Sequence, residues 1–370
     1  MTLAGARSEQ ALDRALMVLT PTVATVVAAE FIVVGLLPPI ARDLRIPLAQ
    51  AGGLAGWFAF SAAVAGPFVT LAVSPGFAPM LIVRVVQGAV LPAFIGVGAA
   101  TVMRLAPPSA HGKGLARANI GFVVGLLVAL PAGVALAEGG NWRLPFAILA
   151  AVSLACVPAI ALLFPRISTN GAAGVGGQLV VLRQPRLLAH LALSVLLFAS
   201  MFAAYTYLGA WVEQTLGVQE LGVALVLFLF GAAGLAGSMV AGRFADRALM
   251  RATAAAMLTL LAAVNATALS GGAVLLAAVP LAFWSIAHTA SVTLSQVRVT
   301  LAGRQAPSFA MTLNISAANL GIAIGTLGGG RVIDALGMAG IGVAPVAFAV
   351  PALLLLAGLA RMRTHSPDPH

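Results

Sequence analysis

Stretches of about twenty apolar residues recur along this chain, separated by short charged or glycine-rich links. A helix of that length spans the hydrocarbon of a bilayer, whereas barrel strands would show short alternating segments. Charged residues make up only 8% of the sequence and hydrophobic residues 61%, against about 25% charged in a soluble chain. No aqueous core absorbs that much apolar sequence, so the bilayer is the solvent. The polar start, Met1 to Glu9, and the long first apolar stretch do not read as a cleavable signal, so the first helix is expected to be retained as an anchor.

Eleven apolar segments are expected, at about 15–37, 53–73, 79–103, 120–136, 144–164, 187–212, 221–241, 253–269, 274–297, 311–328 and 340–359. The division is residues 1–165 as a bundle of about five helices, a cytoplasmic linker over 166–186, and residues 187–370 as a bundle of six. The two halves repeat one plan. The 22 residues from Arg104 to Gly125 resemble the 22 from Thr300 to Gly321, an offset of 196. Upstream, Gly66 matches Gly237, an offset of 171. The two offsets differ by 25 residues, about one charged loop plus most of a membrane helix. Two halves of six helices are a transporter plan, and here the first half is expected to lack its third helix.

The net charge is +10, with Lys113 the single lysine among 20 basic residues. These sit mostly between segments and in the tails, a positive-inside pattern rather than a nucleic-acid surface. With the N-terminus (Arg7, Arg14) inside and six helices per half, the loops holding Arg104/Lys113/Arg117, Arg166/Arg183/Arg186, Arg243/Arg247/Arg251 and Arg298/Arg304 fall inside. Arg42/Asp43/Arg45, Glu138/Arg143, Glu213/Glu220 and Arg331/Asp334 fall outside and nearly balance. The single Cys156 lies in an apolar segment, which argues against a disulfide or a thiolate metal site. The five histidines follow no metal-site spacing, and no GxxxxGK[ST] loop occurs, which argues against ATP as the driving force.

Single residues carry competing readings. Glu30 is the only acid well inside an apolar stretch, so it is protonated, paired or in a cavity. It serves proton coupling or substrate binding, or else makes a structural hydrogen bond or sits near enough to the outer surface to be wetted. His288 relays protons or is a satisfied core histidine. Asn119, Asn314 and Asn319 line a cavity or tie helices together. An integral membrane enzyme would need a cluster of His, Asp or Glu near one membrane face, which the sequence does not show.

Four stretches carry a family resemblance: Glu30-Phe-Ile-Val-Val-Gly-Leu-Leu-Pro38 through Leu44, Arg84-Val-Val-Gln87-Gly88, Gly121 through Pro131-Ala-Gly133, and Gly242-Arg-Phe-Ala-Asp246-Arg247 with Arg251 beyond. In this order and spacing the chain resembles the major facilitator superfamily, and within it the bacterial drug:proton antiporters of the arabinose-efflux-permease type. The resemblance implies an all-α membrane protein of the major facilitator fold, two pseudo-symmetric bundles with about 11 helices instead of 12. It implies proton-coupled efflux of small organic molecules by alternating access, in a monomer of the inner membrane. The energy source would be the proton gradient, with no cofactor, no metal and no nucleic acid. Glu30 would exchange a proton, and Arg84 and Gln87 would tune it or contact substrate. Arg84 in the bland reading snorkels near a helix start. Gly242, Asp246 and Arg247 would form a gating loop, or else a solvated charge pair. Gly121, Gly125, Pro131 and Gly133 would form the antiporter motif, or else pack helices closely. Two departures stand out: the first-half copy of the GxxxDR loop is absent, and Leu130-Pro131 stands where the family usually has Gly-Pro. The absent loop leaves open a rival reading, a membrane protein that keeps the fold but has lost transport.

Overall fold

The computed structural model describes residues 3–64, 81, 82, 85, 121, 124, 125, 127, 128, 130–137, 141–164 and 180–364. These form helices α1 (Leu3–Leu44), α2 (Leu48–Val64), α3 (Arg143–Leu163), α4 (Pro185–Tyr205), α5 (Leu208–Leu216), α6 (Glu220–Ala268), α7 (Val274–Ala302), α8 (Pro307–Leu336) and α9 (Val343–Thr364). Positions 121, 124, 125, 127, 128 and 130–136 are also helical. Short 3₁₀ turns at Val180–Arg183 and Met338–Gly342 precede α4 and α9. Among the described residues eight helices are long and apolar enough to cross a membrane. The expected segment at 79–103 and the 71–84 junction lie almost wholly outside the described residues.

Several elements differ from the reading of the sequence, each for a local reason. The stretch 187–212 is broken: α4 ends at Tyr205 and α5 begins at Leu208. The break is held from a distance, since the Thr206 hydroxyl pairs with that of Thr326 at 2.8 Å and the Tyr207 hydroxyl donates to the Thr326 carbonyl at 2.9 Å. The expected charged loop after residue 241 is instead helical through residue 247, with the single non-helical residue of α6 at Ala248. Arg243, Arg247 and Arg251 remain exposed there, while Ala241, Ala245 and Leu249 pack on Ala290 and Leu294 of α7. The apolar stripe therefore carries the helix onward while the charges stay wet. The break folds α6 into a hairpin. Its start at Glu220 shares a cleft with Arg42 and Glu213, and a Cβ on Gly272, just past its end, would stand 2.7 Å from the Thr215 carbonyl oxygen. Gly272 has φ +85°, a conformation that glycine adopts without strain.

Two helix pairs organise the bundle. A Cβ on Gly125 would stand 2.5 Å from the Ala24 carbonyl oxygen, and one on Gly133 2.5 Å from Ile32 Cγ1. Gly121 meets Thr20 more closely still. The described helical positions from 121 to 136 thus run parallel to α1 at a constant register of 101. In the second half Gly321, Gly325 and Gly329 meet the backbone of Val195, Ala199 and Ala203, so α8 runs parallel to α4 at a register of 126. The 25-residue difference between these registers equals the difference between the sequence offsets, so the two pairs are equivalent elements. Only glycine lets backbones approach this closely, and in a bilayer that packing holds helices together where no hydrophobic driving force does.

The halves meet through α2 against α8 and α1 against α5. A Cβ on Gly56 would lie 3.6 Å from the Ala323 carbonyl oxygen, and one on Gly209 3.1 Å from that of Val34. One buried apolar cluster runs through both halves, from Val27 and Leu37 to Trp284 and Leu359. α3 packs on its edge through Phe146 and Leu149 and otherwise faces outward, with Leu154 71% and Leu162 82% exposed, as a lipid-facing helix requires.

Candidate functional site

Where the halves meet, six aromatic rings and one imidazole pack together. Phe198, Phe202 and Tyr205 follow one another at helical spacing on α4, so they share a face. Phe31 of α1 crosses from the first half to stand 6.1 Å from Phe202 and 6.5 Å from Tyr205. Phe230 of α6 lies 5.7 Å from Tyr205. From α7, Trp284 meets Phe230 edge-on at 5.6 Å, and His288 stands 4.6 Å from Tyr205 and 5.4 Å from Phe202. All of these side chains are buried.

Glu30 precedes Phe31 on α1. It is half-buried, one residue from the Phe31 ring that packs against Phe202 and Tyr205. It lies fourteen positions before Leu44, which places it about 21 Å along the helix from the α1 terminus. The acid therefore lies deep in the bundle, beside rings from both halves. His288 is buried, as a core histidine should be, yet its Nδ1 has no hydrogen-bond partner among the described residues.

Above this cluster, at the Arg42 end, the halves are sealed. Arg42 of α1 pairs with Glu213 of α5. Within the first half, Asp43 beside that pair accepts from Arg143 at 2.7 Å and from the Trp142 indole at 3.0 Å, and the Arg143 guanidinium lies 4.2 Å from the Trp142 ring centre. Tyr207 is fully buried as a wedge in a notch of two glycines: a Cβ on Gly330 would stand 2.6 Å from its hydroxyl, and Gly52 of α2 is as tightly placed. Below the cluster a second polar network ties the inner ends of α4, α7 and α8. Arg298 donates to the His190 carbonyl at 3.0 Å and to Ser194 Oγ at 3.3 Å. Ser194 pairs with Ser295 at 2.9 Å, and Ser295 donates to Asn314 Oδ1 at 3.1 Å. Arg298 is 1% exposed. It belongs to a helix–helix tie, not to the cytoplasmic loop that its position near a segment end suggests. Asn314 ties helices, as one of its two sequence readings holds.

The remaining motif residues separate into three groups. Gly121, Gly125 and Gly133 form the close seam with α1, and Pro131 lies half-buried in the same helical segment. Gly242 and Arg247 are exposed on α6 just before its break, and among the described residues nothing lies within 4 Å of a Cβ on Gly242. Asp246 shares that helical turn. Arg84, Gln87 and Asn119 lie outside the described residues. The ring cluster went unread in the sequence. Its signals were the 198/202/205 and 284/288 spacings, each a helix face, but the partners that complete it lie far apart in the chain. Among the described residues no group of three His, Cys, Asp or Glu gathers as a metal site.

A membrane bundle built from equivalent helix pairs, sealed at one end over a buried site shared by both halves, defines a secondary transporter. The profile of the Major Facilitator Superfamily matches residues 66–326, and the chain belongs to that family. It is a multi-pass inner-membrane transporter. Its sequence is 28% identical over 355 residues to the inner membrane transport protein YdhP of Escherichia coli K12, covering 88% of this chain and 91% of that one. It is 31% identical over 264 residues to a chloramphenicol resistance protein of Streptomyces lividans, covering 63% and 67%. It is 24% identical over 351 residues to a probable sugar efflux transporter of Pasteurella multocida, covering 88% and 87%. In fold it resembles a bacterial homologue of the human lysosomal transporter Spinster, with a TM-score of 0.73 at 15% identity over 96% of this chain and 98% of that one.

Proposed function

We propose that this transporter exports small organic molecules in exchange for protons, by alternating access, as a monomer driven by the proton gradient without a cofactor. The observation that carries this reading is Glu30, a half-buried carboxyl deep in the bundle beside rings from both halves. A carboxyl in such surroundings binds a proton readily and releases it when the cavity opens to water. Substrate entering among the rings and a proton on Glu30 compete for one space, which is the minimal arrangement for antiport. Arg84 and Gln87 tune that acid or touch substrate. Gly242, Asp246 and Arg247, at the break of α6, gate the inner end. Gly121, Gly125, Pro131 and Gly133 hold the antiporter seam against α1. The chain divides into bundles 1–165 and 187–370 about the 166–186 linker, a division supported by the two equivalent helix pairs. The rings favour amphiphilic solutes over strongly charged ones, and the efflux relatives make chloramphenicol and simple sugars the first substrates to try.

The test is flux in proteoliposomes under an imposed pH gradient. The reading predicts gradient-driven accumulation that Glu30→Gln abolishes. A rival reading, a retained fold without transport, draws on the 25-residue difference between the two helix registers. Flux that is absent across a broad substrate panel, from folded protein, would favour it.

A further inference from the structure

α7 carries a buried polar stripe: Trp284, His288, Ser291, Ser295 and Arg298 recur at helical spacing on one face, over about 21 Å. Each is 6% exposed or less. The stripe divides in two. Ser295 and Arg298 find partners on α4 and α8, with only Arg298 Nε left over. Trp284 Nε1, His288 Nδ1 and Ser291 Oγ have no hydrogen-bond partner among the described residues. Trp284 and His288 are the two members of the stripe that belong to the ring cluster, through Phe230, Phe202 and Tyr205. Buried polar groups are nearly always paired, and leaving one unpaired is costly, so three in succession beside the shared site call for an absent partner.

We propose that Trp284, His288 and Ser291 form the polar wall of the substrate site, and that it takes flat, uncharged aromatic molecules with an oxygen at each end. The indole N–H donates to an acceptor such as a nitro or carbonyl oxygen. Seven residues further along, about 10 Å on the helix, the Ser291 hydroxyl meets a hydroxyl or amide. The aromatic body lies against Tyr205 and Phe230, where ring stacking is favourable. No charge is needed in the ligand. Glu30, on α1 in the other half, carries the coupling proton in that reading. This inference rests on the efflux reading above and adds the chemistry of the substrate.

The probe pair is 4-nitrobenzyl alcohol, with an oxygen group at each end, and p-cymene, an apolar molecule of similar shape. Binding is measured by calorimetry on purified protein in nanodiscs, without flux, so the result stands apart from the transport test. Wild-type protein is expected to bind the nitro alcohol more tightly than p-cymene. Trp284→Phe keeps the ring and removes the donor, and Ser291→Ala removes the hydroxyl. Each should weaken nitro alcohol binding about fivefold, the worth of one neutral hydrogen bond, and leave p-cymene binding unchanged. His288→Phe should do the same. Equal losses for both probes, no loss for either, or no binding of the nitro alcohol by the wild type overturns the inference. Gradient-driven flux that depends on Glu30 would still leave the efflux reading standing. Because three separate variants report, one that fails to fold does not remove the test.

Discussion

The seam between α4 and α8 gives a prediction with a calculable sign. A Cβ on Gly325 would stand 2.8 Å from both the carbonyl carbon and the Cα of Ala199, and nearer still to its oxygen. Those are backbone atoms, so no rotamer change relieves the clash. Ordinary carbon contacts begin near 3.5 Å, so Gly325→Ala forces the helices roughly 1 Å apart along the seam. Overpacking of that kind costs about 1–3 kcal/mol. Alanine returns about 0.5–1 kcal/mol of helix propensity, leaving a net loss of roughly 0–2.5 kcal/mol. Gly358→Ala on α9 is the control: it is exposed, nothing described lies within 4 Å of its Cβ, and only the propensity gain remains. Gly125→Ala tests the equivalent seam of the first half and should behave like Gly325→Ala. The assay is reversible unfolding of purified protein in mixed detergent micelles. A Gly325→Ala variant as stable as Gly358→Ala would refute the claim that backbone contact holds these helices. A benign Gly125→Ala beside a damaging Gly325→Ala would refute the equivalence of the two pairs.

Other parts of the structure yield further expectations. Tyr207→Phe removes the donor to the Thr326 carbonyl and should loosen the outer seal by about 1 kcal/mol; thiol labelling of Ala49→Cys, in a Cys156→Ser background, should then quicken about fivefold. Asn314→Leu strips Ser295 of its acceptor inside a buried network and should destabilise the protein by about 1–3 kcal/mol in the same micelle assay. The Arg42–Glu213 pair has Arg42 57% exposed, so Glu213→Gln should cost less than about 1 kcal/mol, and high salt should erase the difference.

Much of the architecture was legible because it is written in period and spacing. The offsets 196 and 171, found by matching Gly125 to Gly321 and Gly66 to Gly237, differ by 25 residues, and the same difference separates the registers of the two glycine seams, 126 and 101. Glu30 was legible because an acid in an apolar stretch has few bland explanations. What escaped depended on partners distant in sequence. Nothing near Thr206 and Tyr207 signals a helix break, because Thr326, about 120 residues away, holds it open. Arg298 looks like a loop charge until His190 and Ser194 are brought beside it. The arginines around Asp246 resemble a loop because charge density marks loops in membrane proteins. The helix continues because Ala241, Ala245 and Leu249 keep their stripe on α7. The aromatic residues at helical spacing resembled ordinary core, and only their convergence with Phe31 and Glu30 gives them a second meaning.

The central claim is that Glu30 couples proton movement to substrate movement at the shared site. Proteoliposomes holding wild-type or Glu30→Gln protein would be loaded with a transported substrate and assayed in two ways: accumulation driven by a pH gradient, and exchange of labelled for unlabelled substrate without one. The account predicts that Glu30→Gln abolishes gradient-driven accumulation while exchange continues, since the amide retains shape but cannot release a proton. Accumulation that survives in Glu30→Gln at the wild-type rate would contradict it.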